Sequence, residues 1–139
     1  MTIKELVDRA ADLLHRYGLI LVGLAVLTFF LVDRLTPQQL FDSPAERQSF
    51  FRAAGQADTR VLVLVTEWCP ACKALEAALT EEQIPFTRID VENSQPGAQL
   101  FAKAAQRTRS QGVPKLVVDN HLIRPSVSAV REALKSPGE

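Results

Sequence analysis

Both cysteines of the chain fall in Thr66-Glu67-Trp68-Cys69-Pro70-Ala71-Cys72-Lys73, two residues apart. A bridge across two intervening residues closes almost no loop, so it constrains the unfolded chain very little and makes a poor staple. A pair of cysteines is likewise too few for the disulfide framework of a small secreted scaffold. The spacing suits chemistry: one thiolate attacks or receives a disulfide, and the second resolves the mixed disulfide from nearby. A structural zinc needs four ligands. His15 lies beside an apolar run and His121 in an expected strand, and neither pairs with the cysteines. Two readings besides exchange stay open, a two-thiolate copper(I) site, which soft sulfur suits, and a pair of inert core thiols.

The elements around the pair must position it. Residues 60–65, RVLVLV, are short, continuous and β-branched, as in a strand buried on both faces. Pro70 cannot continue that strand but fits the first turn of a helix. Residues 73–82, KALEAALTEE, continue as helix, with Leu75, Ala78 and Leu79 on one face. The cysteines therefore sit where a strand turns into a helix. There the unpaired N–H groups and the macrodipole favour negative charge and lower the pKa of Cys69, the expected exposed thiol. Cys72 lies about one turn further in. Trp68 is expected to pack beside the site and limit its exposure, while Glu67 and Lys73 read as solvated charges.

Downstream, 85–91 reads as a second strand, and Asn93 or Ser94 caps a helix over 96–107. Strands at 115–119 and 121–123 join at Asp119-Asn120, a tight-turn pair. Pro125-Ser126 opens a last helix to about Leu134, and the final four residues read as frayed. The order is β-α-β-α-β-β-α.

With these elements the chain resembles the thioredoxin-like superfamily, its glutaredoxin-type members above all, over about residues 60–134. The residues that carry the resemblance are the buried strand, Trp68-Cys69-Pro70-Ala71-Cys72 at a helix start, Gly112-Val113-Pro114 before a strand, and the terminal hairpin and helix. The resemblance implies an α/β fold with a central four-stranded mixed sheet. It implies catalytic roles for Cys69 and Cys72, a cis peptide at Pro114 facing them, and a substrate groove shaped by Trp68, Pro70, Ala71, Val113 and Pro114. It implies no organic cofactor and no metal. Thioredoxins bury an acid where this chain has Val63. Glutaredoxins carry Tyr at Ala71, a basic residue near Thr66-Glu67, and Gly-Gly near Arg124-Pro125-Ser126. A glutathione site is accordingly not expected.

The 139 residues carry a formal net charge of zero and 47% hydrophobic residues. There is no global electrostatic attraction to nucleic acid and no basic–aromatic patch, so no nucleic-acid partner is expected. Residues 18–32, GLILVGLAVLTFFLV, contain no charge and no proline. The run is shorter than the roughly 20 residues of a full span. Tyr17 suits the lipid interface, Leu35 extends the apolar face past Asp33 and Arg34, whose side chains can snorkel, and no small-x-small cleavage site follows. These features favour a membrane anchor over 17–35, with a cleaved signal peptide and a buried core helix as the alternatives. Before it, Thr2 and Glu5 fit a capping box, and Ile3, Leu6, Val7, Ala10, Leu13 and Leu14 share a helical face. That segment either lies on a membrane or partner surface or forms the first turns of one long helix. Lys4, Arg9 and Arg16 before the span balance Arg34, Arg47 and Arg52 after it. The amino terminus and Arg16 tilt the expectation to a cytoplasmic N-terminus, in the inner membrane, with the domain outside, in the periplasm for a Gram-negative host.

The expected organisation is an amphipathic and anchor segment at 1–35, a linker with a turn or helix at 36–39 and a helix at 44–54, and a redox domain at 59–139. Taken together, the sequence predicts a membrane-anchored thiol–disulfide oxidoreductase acting on protein cysteine pairs near the bilayer, with a membrane or soluble redox partner. Two alternatives stand beside it: a copper(I)- or client-binding assembly module, and a cytoplasm-facing glutaredoxin-like reductase.

Overall fold

A computed structural model describes residues 2–35 and 38–136. The side chains of Arg34 and Leu35, Thr36 and Pro37 of the expected turn, and 137–139 of the expected frayed end lie outside the described residues. The chain divides into two compact units, Met1–Pro37 and Gln38–Glu139.

The first unit is one helix, α1 (Ile3–Leu35), of 33 residues. Thr2 caps it through its backbone N–H and hydroxyl, both donating to the Glu5 carboxylate. The N-terminal segment thus forms the first turns of one long helix, the second of the two readings. At 1.5 Å per residue it runs about 50 Å, more than the roughly 30 Å of a hydrocarbon core. By length and composition it is apolar enough to cross a membrane.

The second unit is an α/β domain built on a four-stranded sheet in the order β2-β1-β3-β4. Strand β1 (Val61–Val65) lies at its centre, fully buried. It pairs in parallel with β2 (Thr87–Asp90) and antiparallel with β3 (Lys115–Val118), which pairs antiparallel with β4 (His121–Ile123). The alternation of side chains along β1 divides the core in two. Leu62 and Leu64 face α2 (Pro44–Ala54) and α4 (Gln95–Thr108), packing with Phe51, Leu100 and Ala104. Val61, Val63 and Val65 face α3 (Pro70–Glu81) and α5 (Val127–Lys135), packing with both cysteines, Leu75, Leu79 and Val130.

The ends of these elements follow their capping chemistry. Ser43, Ser94 and Ser126 each accept a backbone N–H three residues on, as N-caps do. Gly55 closes α2 at φ 63°, a left-handed conformation that glycine adopts without Cβ strain. Asp119 and Asn120 join β3 to β4 with φ 47° and 72°, as a two-residue hairpin requires.

The segment read as a linker belongs to the domain. Gln38 and Gln39 do not form a turn or helix; Gln39 bridges to His121, and the Leu122 and Leu40 amides bond to Gln38 and Asn120. Asn120 clamps this arm through Oδ1 to the Phe41 N–H, at 2.6 Å, and through Nδ2 to the Phe41 carbonyl, at 2.9 Å. Leu40 and Phe41 are buried with Phe51. The boundary expected at 58/59 therefore moves to the start of the arm, because the apolar surface of 40–51 completes one half of the core. The arm also covers the outer edge of β4, an edge that would otherwise offer unpaired backbone groups.

Candidate active site

The site stands at the end of β1, where the chain leaves the sheet at Thr66 and enters α3. Cys69 is itself the N-cap of α3, in extended conformation, and its sulfur accepts the Cys72 N–H at 3.1 Å. A sulfur thus occupies the place normally taken by a Ser, Thr, Asp or Asn oxygen, against the orphan donors of the first turn. The Lys73 N–H bonds the Cys69 carbonyl and closes that turn. Pro70 fills the first helical position, where its missing N–H costs nothing.

Cys69 and Cys72 are joined in a disulfide, with Cα atoms 5.3 Å apart. Both are buried in the α3/α5 half of the core: Cys69 is 4% exposed and Cys72 is 0%. The expected exposed thiol is thus the more accessible of two well-covered sulfurs. An attacking group meets Cys69 first, and Cys72 stays behind it. Facing the bridge is the loop before β3, with a cis Val113–Pro114 peptide. The Val113 carbonyl oxygen lies 4.0 Å from Cys69 Sγ. Val113 packs against both halves of the core, so its carbonyl is held from both sides of the sheet. Val113 and Pro114 are half-buried, and Pro70 and Ala71 exposed.

Trp68 does not wall off the sulfurs. It is 67% exposed, and its indole N–H donates to Glu92 Oε1 at 2.9 Å. Glu92 is placed by an Asx turn in which Asp90 Oδ1 accepts the N–H groups of Glu92 and Asn93, each at 2.9 Å. These bonds, the Asn93 N–H first, hold the Asp90 carboxyl below the usual carboxylate range. The site rim therefore carries an anchored Trp68–Glu92 pair that the sequence reading did not include. Nothing in residue spacing links positions 68 and 92; the parallel pairing of β1 with β2 brings the two following loops together.

Two further residues escaped the sequence reading. Thr66 is buried, and its hydroxyl has no hydrogen-bond partner among the described residues. Lys115, directly after Pro114, is buried at 6% exposure. Strand alternation was the available signal for Lys115, since it shares a sheet face with the core residue Val117. Glu67 and Lys73 are exposed, as solvated charges. His121 is half-buried in β4 and His15 exposed on α1, and among the described residues no cluster of His, Cys, Asp and Glu suits a metal.

A mixed sheet with the order β2-β1-β3-β4, a dithiol pair at a helix N-terminus and a Val-Pro loop against it define a thioredoxin-like domain of the glutaredoxin type. It is a thiol–disulfide oxidoreductase domain. Residues 61–123 match the family model described as Glutaredoxin. A Mycobacterium tuberculosis protein assigned by name to the glutaredoxins is 26% identical over 72 residues, covering 52% of this chain and 86% of that protein. Among solved structures, wheat glutaredoxin is similar at 18% identity and TM-score 0.49, over 70% of this chain and 91% of that one. A dithiolic glutaredoxin from Trypanosoma brucei brucei is similar at 21% identity and TM-score 0.47, over 68% and 91%.

Proposed function

We propose that this protein is a membrane-anchored oxidoreductase that exchanges the Cys69–Cys72 disulfide with cysteine pairs on other proteins close to the bilayer. The observation that carries this reading is the cap geometry: Cys69 Sγ receives the first-turn N–H of Cys72, and a thiolate there is stabilised by the same donor and by the helix dipole. In the reducing direction the Cys69 thiolate attacks a client disulfide. One client sulfur leaves as a thiolate and takes up a proton. The Cys72 thiolate then attacks Cys69 Sγ, releasing the second client thiol and closing the Cys69–Cys72 bond. In the oxidising direction the same steps run backward. Trp68, Pro70, Ala71, Val113 and Pro114 form the groove for an extended client segment, and the Val113 backbone is the natural partner for it.

Glutathione is not the preferred partner in this reading. The rim residues Glu67 and Glu92 are anionic, and glutathione carries carboxylates of its own. The anchor is α1, with its N-terminus in the cytoplasm and the domain on the far side of the membrane.

The test is disulfide exchange by the full chain in detergent against a protein disulfide and against glutathione disulfide. Cys69→Ser is expected to abolish both, and Cys72→Ser to accumulate a mixed disulfide on Cys69. Exchange by Cys69→Ser at the wild-type rate rules the reading out. For topology, Gln56→Cys in a background lacking Cys69 and Cys72 is expected to react with an impermeant thiol reagent from outside the cell. Labelling only after lysis reverses the orientation.

A further inference from the structure

Among the described residues of the domain, Trp68 is the one large hydrophobic side chain left exposed; the others in water all lie on α1. It directly precedes Cys69. A single exposed aromatic is ordinary in itself. Here the ring is also held. Its Nε1–H donates to Glu92 Oε1 at 2.9 Å, and Glu92 stands on the turn in which Asp90 Oδ1 accepts the Glu92 and Asn93 amides. Helix α4 backs that turn, with Gly97 packed against the Asp90 carbonyl. The indole donor is therefore spent, and what the side chain offers a client is its face.

The electrostatics of that face follow from the hydrogen bond. An aromatic face is negative, and Trp attracts cations best of the aromatic side chains. A carboxylate on the N–H adds negative charge at the ring edge. Glu92 is exposed. Among the described residues its Oε2 accepts no hydrogen bond, and neither Glu92 nor Glu67 enters an ion pair. Arg88, the nearest basic residue along the strand, is taken by Glu76 and Asp90. The exposed cation of the motif, Lys73, lies past both cysteines in α3, so charge along the motif runs from negative at Glu67 to positive at Lys73. An electron-rich plane with an unneutralised carboxylate at its edge suits a guanidinium, which stacks on aromatic faces and donates in its own plane to carboxylates. Consecutive Cα atoms are about 3.8 Å apart, so a long side chain one or two residues from a client cysteine bonded to Cys69 can reach Trp68.

We propose that Trp68 and Glu92 form a cation subsite that selects client segments carrying an arginine, or a lysine, beside the reacting cysteine. This rests on the exchange reading, in which a client segment lies against Cys69. Glu92 acts in two ways, as the residue that positions the indole and as the counter-charge at its edge.

The experiment uses the full chain in detergent, reduced with dithiothreitol and then freed of it. The probes are peptides Gly-Xaa-Cys-Xaa-Gly, with the cysteine in a mixed disulfide with nitrothiobenzoate and Xaa arginine, citrulline or glutamate. The Cys69 thiolate attacks the peptide sulfur, and nitrothiobenzoate leaves as a coloured thiolate. Cys72 then gives up its proton and attacks Cys69 Sγ, releasing the peptide as its thiol and closing the Cys69–Cys72 bond. Each rate is divided by that of the same peptide with free dithiothreitol, which removes the effect of the peptide's charge on its own reactivity. Wild type is expected to prefer arginine to citrulline by about fivefold in kcat/KM, with glutamate slowest, and the preference is expected to shrink in high salt. Glu92→Gln keeps an acceptor for the indole and removes the charge; it is expected to bring the ratio below about twofold, and Trp68→Leu to bring it to about one. Equal wild-type rates with arginine and citrulline, or the same ratio in wild type and Glu92→Gln, overturn the proposal. Release by wild type no faster than by Cys69→Ser with every peptide is instead the failure of the exchange reading, and the subsite falls with it.

Discussion

Cys69 is a structural cap, and in the proposed exchange it is also the reactive atom. Its sulfur satisfies a donor of the α3 first turn, so an attacking state that places charge on that sulfur strengthens a bond already present. The spacing of the two cysteines, the proline after the first and the apolar strand before it made this much legible. The partner across the site was legible only through resemblance, since 44 residues separate Cys69 from Val113. Thr66 was not legible as a cost. Its hydroxyl is buried without a partner, and a buried unpaired hydroxyl costs about 1–3 kcal/mol. Thr66→Val keeps the shape and removes that cost. It is expected to raise the stability of the domain by about 1 kcal/mol, read as a higher urea midpoint with an unchanged slope. A lower midpoint instead means the hydroxyl is satisfied in solution.

At the scale of elements, the sequence located strands and helices because each carries its own signal. Serine caps open α2, α4 and α5, the hairpin has its turn pair, and β1 is continuously apolar. The arm at 38–41 has no such signal. It is extended because its amides and carbonyls meet β4 and the Asn120 side chain, which lie about 80 residues downstream. The approach of α4 to β2 was equally hidden. A Cβ at Gly97 would come within 2.1 Å of the Asp90 carbonyl oxygen, so α4 starts tight against the strand end that carries the Asp90 turn. Gly97→Ala must push the helix away from backbone that cannot yield. It is expected to destabilise the domain by about 1–3 kcal/mol by denaturant unfolding. The same shift should loosen the Asp90 loop, and with it the Glu92 hold on Trp68. A stability equal to wild type counts against this packing.

At the scale of the molecule, the surface of the domain is tied by ion pairs that span distant segments. Lys103 of α4 pairs with Asp42 and Glu46, Arg107 with Asp42, and Arg60 with Asp119 across the sheet end. These cations hold all three carboxyls below their ordinary values, chiefly through the bonds to Lys103 for Asp42 and Glu46 and to Arg60 for Asp119. A carboxyl with a depressed folded pKa contributes stability that is complete above its unfolded value and is lost as pH falls through the folded one. The unfolded values are 3.8 for Asp and 4.5 for Glu. The thermal midpoint of the full chain is therefore expected to stay flat from neutral pH down to about 5 and to decline below that. Limited proteolysis should cut the arm near residue 42 before the core opens, because these pairs fix the arm from outside. They are exposed, so the decline is modest and shrinks in high salt. Resistance of the arm at low pH equal to that at neutral pH contradicts this account.

The sequence by itself determined what depends on neighbours along the chain. An uncharged apolar run makes α1 a helix fit for a membrane. The Cys-Pro-Ala-Cys stretch after a buried strand puts sulfur at a helix start, and periodicity gives the order of strands and helices. Only the tertiary structure decided what depends on residues brought together from afar. It folded the segment after α1 into the core, joined Trp68 to Glu92, turned the Val113 carbonyl to Cys69, and buried Lys115 against α4 on the opposite face of the sheet from the cysteines. The reason is physical: capping, turn geometry and amphipathic period act over a few residues and leave local marks. Burial and pairing between strands are settled by the whole sheet, and a residue carries no local mark of the partner it meets there.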